Sequence, residues 1–241
     1  MKVEIIAHTP NIENVLASAG RLCYSKVGVK ELLEKYSQEE NEKFVKMLAD
    51  MGHESPLEHV SFTFAIEGVS RTLSHQLVRH RIASYSQQSQ RYVNLDKTFD
   101  YIIPPNIRGA FEDFYIKSMN QAFENYIALA TGLKFNYELA GMNKREAEKK
   151  AIEDARYVLP NACETKLVFT MNVRTLLHFF EKRCCSRAQW EIRDLANEML
   201  RQCRGISPIL FNNAGPTCKR GYCKEGDMSC KKQRNIHLKK L

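Results

Sequence analysis

Apolar and polar positions alternate with a period of two in only three places, and these mark the strands. Lys2 to Ala7 is one short strand. Val60, Phe62, Phe64 and Ile66 alternate with Ser61, Thr63 and Ala65, giving a second strand with one apolar face, which Gly68 ends. Lys166 to Met171 is the third. Elsewhere the spacing is helical. Thr9 and Pro10 read as an N-cap and first helical residue, opening a helix toward Gly20. Ser37-Gln38-Glu39-Glu40 is a capping box, followed by Phe44, Met47, Leu48 and Met51 and closed by Gly52. Val69, Leu73 and Leu77 form a stripe with Ser70 as cap. Past Pro104-Pro105 a long amphipathic helix carries Phe111, Phe114, Tyr115, Ala122, Phe123 and Tyr126. Asn143 and Glu146 start another helix, running to about Tyr157. Asn172 caps a helix on which Arg174 and His178 share a face, and Arg187 to Arg204 forms the last. The segment from His53 to His59 reads as a turn, and SYSQQSQ from Ser84 as a loop. Strands and helices do not alternate regularly, so the expected class is α+β: a mixed or antiparallel sheet with flanking helices. A single catalytic body is expected over residues 1–217 and a basic, cysteine-containing tail over 218–241.

Charge changes this picture in one respect. The chain of 241 residues carries a net charge of +8. From Lys219 onward there are eight Lys/Arg against two Asp/Glu, so +6 of that charge lies in the tail and only +2 in the body. A nearly neutral body with local arginine clusters suits a small anion better than a nucleic-acid backbone. No apolar run reaches the roughly 18 residues of a membrane span, and the first residues lack the pattern of a secretory signal. With eight unevenly spaced cysteines, the expectation is a reduced, cytoplasmic protein.

Two basic stretches carry the candidate chemistry: RHRIASYSQQSQRY from Arg79 to Tyr92, and NVRTLLHFFEKR from Asn172 to Arg183. Guanidinium forks beside Ser, Gln and backbone N–H groups bind planar or phosphorylated anions bidentately. A nucleotide or another anionic cofactor is the expected ligand. Neither a G-x-G-x-x-G nor a P-loop motif is present. His53, His59, His75 and His80 match no helix-borne ligand spacing, so no metal site is expected there. Cys184 and Cys185 follow Arg183, a cation that would lower a thiol's pKa, but an inert buried thiol is the expected state. Cys218, Cys223 and Cys230, with Cys203 and His237 as conceivable additions, depart from the tight pairs of common zinc sites.

RHRIASYSQQSQRY resembles the signature of the flavin-dependent thymidylate synthases, and four further blocks agree in order: GHESPLEH from Gly52, ARYVLP from Ala155, NVR at Asn172 and AQWEI from Ala188. The resemblance implies a homotetramer binding FAD across subunit boundaries, each site drawing on several chains. It implies conversion of dUMP to dTMP, with methylenetetrahydrofolate as carbon donor and NADPH reducing the flavin, and without a cysteine nucleophile. By position, Ser55, Arg79, His80, Arg81, Gln87, Asn172, Val173, Arg174 and His178 match flavin-contacting residues. Gln76, Leu77, Val78, Arg79, Gln87, Gln88, Ser89, Gln90, Arg91, Arg156 and Arg183 match those that hold dUMP. Arg183 matches the arginine that activates the pyrimidine. Ser86 and Gln87 stand where Asn and Glu are frequent, and His178 where Asn is frequent.

Two rivals give different expectations. A nucleic-acid-binding module would interleave stacking aromatics with the arginines, and only Tyr85 and Tyr92 supply them. A flavoenzyme with another substrate would share the cofactor residues, and only a dUMP turnover assay separates it.

Overall fold

A computed structural model describes residues 1–91, 99–221 and 223–231. Tyr92, one of the two aromatics weighed above, and His237 lie outside them. The strands are β1 (Lys2–His8), β2 (Ser61–Ser70), β3 (Ala83–Gln87) and β4 (Glu164–Asn172). The helices are α1 (Ile12–Leu22), α2 (Val29–Lys35), α3 (Gln38–Asp50), α4 (Arg71–Leu77), α5 (Glu112–Leu139), α6 (Lys144–Ala155), α7 (Val173–Arg183), α8 (Trp190–Ile206) and α9 (Pro208–Phe211). The strands pair in the order β1-β2-β4-β3. Thr9 bonds Ser61, Thr63 meets Thr170 at 2.9 Å, and Gln88 donates to the Lys166 carbonyl, a register that makes the sheet antiparallel. The α+β expectation holds.

Several local expectations change. SYSQQSQ is not wholly a loop, because Ala83–Gln87 is strand β3, with Ala83, Tyr85 and Gln87 half-buried and Ser84 and Ser86 exposed. Its period of two was present in the sequence but written in polar residues. Gly68 does not end β2; it sits inside the strand at φ +68°, where a Cβ would stand 3.1 Å from the Met1 nitrogen. Thr9 does not cap α1. The cap residue is Asn11, in the left-handed region, while the Thr9 hydroxyl accepts from Ser61 N–H at 3.0 Å and prolongs the β1–β2 pairing. The last long helix begins at Trp190, not Arg187, because the Gln189 side chain accepts from the Glu191 and Ile192 amides. On the long helix Phe111 and Phe114 stay exposed, so the apolar stripe runs through Tyr115, Met119, Phe123 and Tyr126 instead. Helices α2 and α9 are additions that the pattern did not announce.

Other local signals hold. The Ser37–Glu40 capping box is complete, and Asn143 accepts from the Glu146 amide at 3.0 Å. Each such cap contributes about 1 kcal/mol.

The described chain divides into two compact units. One comprises Met1, Ile66–Gln76 and Ser86–Leu167. Here α5 packs along α6, and Phe99, Met119 and Cys163 form a small core flanked by Tyr101, Tyr115, Phe123 and Leu159. The other comprises Lys2–Ala65, Leu77–Tyr85 and the described residues from Val168 onward. Its core is aromatic: Phe62 meets Phe211 edge-on at 5.6 Å, Phe64 stacks on Phe169 at 5.4 Å, and Phe180 meets Phe211 at 6.0 Å. The Gln202 side chain of α8 bonds Val3 O and Ile5 N, satisfying backbone groups on the outer edge of β1.

Candidate functional site

In the unit that holds Leu77–Tyr85, the RHR segment is fixed from behind. Tyr85 on β3 points its hydroxyl back to donate to the carbonyls of Leu77 and His80, each at 2.9 Å, while its ring stacks on Phe169. Burial pushes the Tyr85 hydroxyl up to about 12, so it stays a donor. Tyr85 is therefore an internal anchor for the turn that carries Arg79, His80 and Arg81, and not a free stacking platform. Arg79 and Arg81 are exposed beyond that turn, as is Val78, while Leu77 is buried.

Helix α7 supplies the second half of this set. The Asn172 side chain accepts from the Thr175 amide at 2.8 Å, which fixes the helix start, and Val173 is buried beneath it. His178 is exposed, and the next residue, Phe179, is buried. The His80 ring meets Phe179 edge-on at 4.9 Å and His178 at 6.0 Å. At the last turn of α7, Arg183 Nε donates to His80 Nε2 at 3.1 Å. That bond requires an unprotonated Nε2, which places the His80 proton on Nδ1. Burial, then the Arg183 charge, then His178, lower the His80 pKa to about 4, so the imidazole is neutral near pH 7. Burial and the Arg79 charge lower the Arg183 pKa as well. Arg79, His80 and Arg183 thus form a cationic group held by neutral partners.

Arg174, in the first turn of α7, is placed differently. It makes ion pairs with Glu54 at 3.0 Å and Glu58 at 2.5 Å; the Glu58 hydrogen bond first, and then the charges of both carboxylates, raise its pKa against desolvation. Ser55 lies exposed between the two glutamates, in a short 3-10 turn of residues Ser55–His59.

The remaining predicted residues lie in the unit that holds Ser86–Leu167. Gln87 Nε2 donates to Ser74 Oγ at 3.0 Å and Thr165 Oγ1 at 3.1 Å, so its amide is committed to neighbouring hydroxyls. Gln88 extends the sheet ladder to Lys166. Ser89 Oγ accepts from the Arg91 amide, and Arg91 pairs with Glu153 at 3.1 Å. Arg156 Nε donates to the Glu153 carbonyl at 3.2 Å, so one residue of α6 orders two arginines. Gln76 and Gln90 are half-buried.

Sequence reasoning missed one cation here. Arg71 opens α4, and its amide donates to the Cys163 carbonyl at 3.0 Å. Burial and then the Arg156 charge lower its pKa. No motif announced it; only its place at the strand-to-helix junction would have.

Among the thiols, burial overrides nearby cations. Cys184 is pushed up to about 12 despite Arg204 and Lys219, Cys203 to about 12, and Cys163 to about 11 despite Arg71. None of these three is a thiolate near neutral pH. Among the described residues no helix is long and apolar enough to cross a membrane.

A family model described as "Thymidylate synthase complementing protein" matches residues 4–209. The chain is similar to the flavin-dependent thymidylate synthase of Clostridium tetani, 59% identical over 234 residues covering 96% of this chain and 94% of the relative. It is similar to that of Geobacter sulfurreducens at 46% over 239 residues, covering 98% and 96%. It is similar to the flavin-dependent thymidylate synthase of Sulfurisphaera tokodaii at 40% over 219 residues, covering 90% of this chain and 79% of the relative.

Proposed function

Because the chain belongs to the flavin-dependent thymidylate synthase family, we propose that it methylates dUMP to dTMP with methylenetetrahydrofolate as carbon donor and NADPH as reductant. The observation that carries the reading is the Arg183–His80 contact: a partly buried guanidinium against a neutral imidazole, with Arg79 as its like-charged neighbour. Among the described residues no compensating anion meets this group, which therefore gains most from a ligand that brings one.

FAD fits the donor set by this test. Arg79 and Arg81 offer exposed guanidiniums for a diphosphate, and Ser55, His80, Gln87, Asn172, Val173, Arg174 and His178 complete the proposed set. When bound, the flavin reduced by NADPH supplies the hydride that completes the new methyl group. The protein's own part is electrostatic. The guanidinium of Arg183, held in orientation by His80, stabilises negative charge on the pyrimidine as N3 gives up its proton. That enriches C5, which attacks the carbon donor, so no thiol nucleophile is needed. The high pKa values of Cys163, Cys184 and Cys203 support that route.

Gln76, Leu77, Val78, Arg79, the Gln87-to-Arg91 segment, Arg156 and Arg183 are proposed to hold dUMP, and Arg71 joins them as a further cation beside Arg156. In a homotetramer whose sites draw on several chains, these residues need not all come from one copy. Exposed Phe111, Phe114, Phe135 and Leu139 on and beside α5 are apolar surface that another copy would cover. We place the enzyme in the cytoplasm, with residues 1–217 as catalytic body, 218–241 as tail, and neither nucleic acid nor membrane as partner.

The test is a flavin absorbance spectrum of the purified protein with and without dUMP, followed by a dTMP-formation assay with methylenetetrahydrofolate and NADPH. Bound flavin perturbed by dUMP, and dTMP formed, are expected. Protein without flavin overturns the cofactor; flavin without dTMP points to another substrate.

A further inference from the structure

Burial does not hold the segment that carries Arg79, His80 and Arg81. Val78, Arg79, Arg81 and Ile82 are exposed, and His80 is half-buried. Hydrogen bonds to the backbone set its shape. The His80 amide donates to the Leu77 carbonyl at 3.1 Å and closes a four-residue turn with Val78 and Arg79 at its centre. Tyr85 Oη reaches the carbonyl at each end of that turn, Leu77 and His80, at 2.9 Å. A phenol has one hydrogen, so the two carbonyls share it in a three-centre bond. Both ends of the turn are therefore tied to one atom, and burial keeps that phenol protonated.

The tyrosine is itself fixed from below. Its ring stacks on Phe169 with centroids 5.9 Å apart, and Phe169 stacks on Phe64 at 5.4 Å, both of them buried. Beyond the turn, the His80 ring lies edge-on to Phe179 at 4.9 Å and accepts from Arg183 Nε at 3.1 Å. His80 is thus held twice, by its carbonyl through Tyr85 and by its ring through Arg183. Only two side-chain torsions separate that backbone from the ring, and the first prefers three staggered values. Fixing the carbonyl therefore limits where the imidazole can go. Rotation of the turn would carry Arg79 and the ring along together.

We propose that Tyr85 is a positioning residue, whose hydroxyl fixes the Leu77–His80 turn so that the His80 imidazole meets and orients the Arg183 guanidinium. In this role it touches neither substrate nor cofactor. Its effect on turnover rests on the reading of Arg183 as the activating cation, whereas the link from Tyr85 to Arg183 rests on the hydrogen bonds alone. A tyrosine that only stabilised the fold would lower stability and leave the rate per folded molecule unchanged.

The experiment compares the full chain with Tyr85→Phe, which keeps the ring on Phe169 and removes the hydrogen that the two carbonyls share. With FAD and dUMP saturating, kcat for dTMP formation should fall about tenfold, within the range expected for a small misplacement of a catalytic group, with KM for dUMP little changed. His80→Ala should cost at least as much. Adding Tyr85→Phe to His80→Ala should cost little more, because the link is already cut. Phe64→Leu loosens the same core without touching the hydroxyl, and its denaturation midpoint should fall while kcat holds. In crystals, the parent should keep Arg183 Nε within hydrogen-bond reach of His80 Nε2, and Tyr85→Phe should part them beyond about 3.5 Å. An unchanged contact in that variant, or losses that multiply in the double variant, would overturn the link. A broken contact with parental kcat would uphold the link and count against Arg183 as the activating cation, so the two readings fail separately.

Discussion

Two arginines sit at opposite ends of one eleven-residue helix, α7, and their surroundings set them apart. Arg174, at the start, is clasped by Glu54 and Glu58, and its pKa is raised. Arg183, at the end, bonds a neutral histidine and faces Arg79, and its pKa is lowered. The helix dipole works in the opposite sense, disfavouring a cation at the N-terminus and favouring one at the C-terminus, so the shifts come from the local surroundings. Glu54 and Glu58 correct the first placement, whereas the second needs no correction and, among the described residues, receives no counter-charge. A guanidinium already satisfied by carboxylates has little left to offer an anion. One surrounded by neutral and cationic groups has its full charge available.

The largest test of this contrast is on Arg183. Removing a preorganised charge that acts on a developing anion costs on the order of 10²–10³ in turnover. Arg183→Ala should show that loss in dTMP formation at saturating dUMP while flavin content holds. Arg183→Lys keeps the charge but loses the planar fork that bonds His80, and at least a tenfold loss is expected, about 1.4 kcal/mol. Near-parental turnover in both variants would reduce Arg183 to a helix-end charge.

Arg79 comes next. Arg79→Ala should remove a charge-assisted contact and weaken flavin binding by about 1.5–3 kcal/mol, read by equilibrium titration of the apoprotein with FAD. It should also relieve the like charge on Arg183. Unchanged affinity would mean that the diphosphate is held elsewhere.

The two ends of α7 also differ in how much of them was legible. Asn172 as cap, the shared face of Arg174 and His178, and Arg183 in the last turn follow from local spacing, as do the Ser37–Glu40 box and the alternation of β2. These signals lie within a few residues of what they control. The rest depends on distant partners. Nothing near Arg174 in sequence names Glu54 and Glu58, and nothing near Arg183 names His80. Strand β3 was hidden because Ser and Gln occupy positions where apolar residues usually signal a strand. Tyr85 read as a surface aromatic until its hydroxyl was seen holding the turn below it. Gly68 read as a breaker because its left-handed conformation usually ends a strand, and only the close approach of Met1 explains it.

His80 provides a pH-dependent test. Its folded pKa of about 4 lies below the ordinary 6.5. Between these values the unfolded chain binds a proton that the folded chain does not, so stability rises with pH across that window. It should fall as the pH is lowered from about 6.5 through 4. His80→Gln should flatten that slope, measured by denaturant midpoints at fixed protein concentration without flavin. Parallel slopes in parent and variant would mean that His80 titrates as an ordinary surface histidine.

The smallest effects should come from the other end of the helix. The Arg174 pairs are exposed, so Glu58→Gln should change stability by only a few tenths of a kcal/mol. Their effect on ligand is more informative than their effect on the fold. If the two carboxylates compete with the flavin diphosphate for Arg174, Arg174→Ala should weaken FAD binding by no more than a few-fold, well short of Arg79→Ala. Replacing both Glu54 and Glu58 by Gln should then tighten FAD binding by a similar factor, because the guanidinium no longer has to leave one anion to meet another. That gain should shrink as salt screens the exposed charges. An Arg174→Ala loss as large as that of Arg79→Ala, with no gain in the double glutamine variant, would mean that the glutamates orient Arg174 for the flavin and do not withhold it.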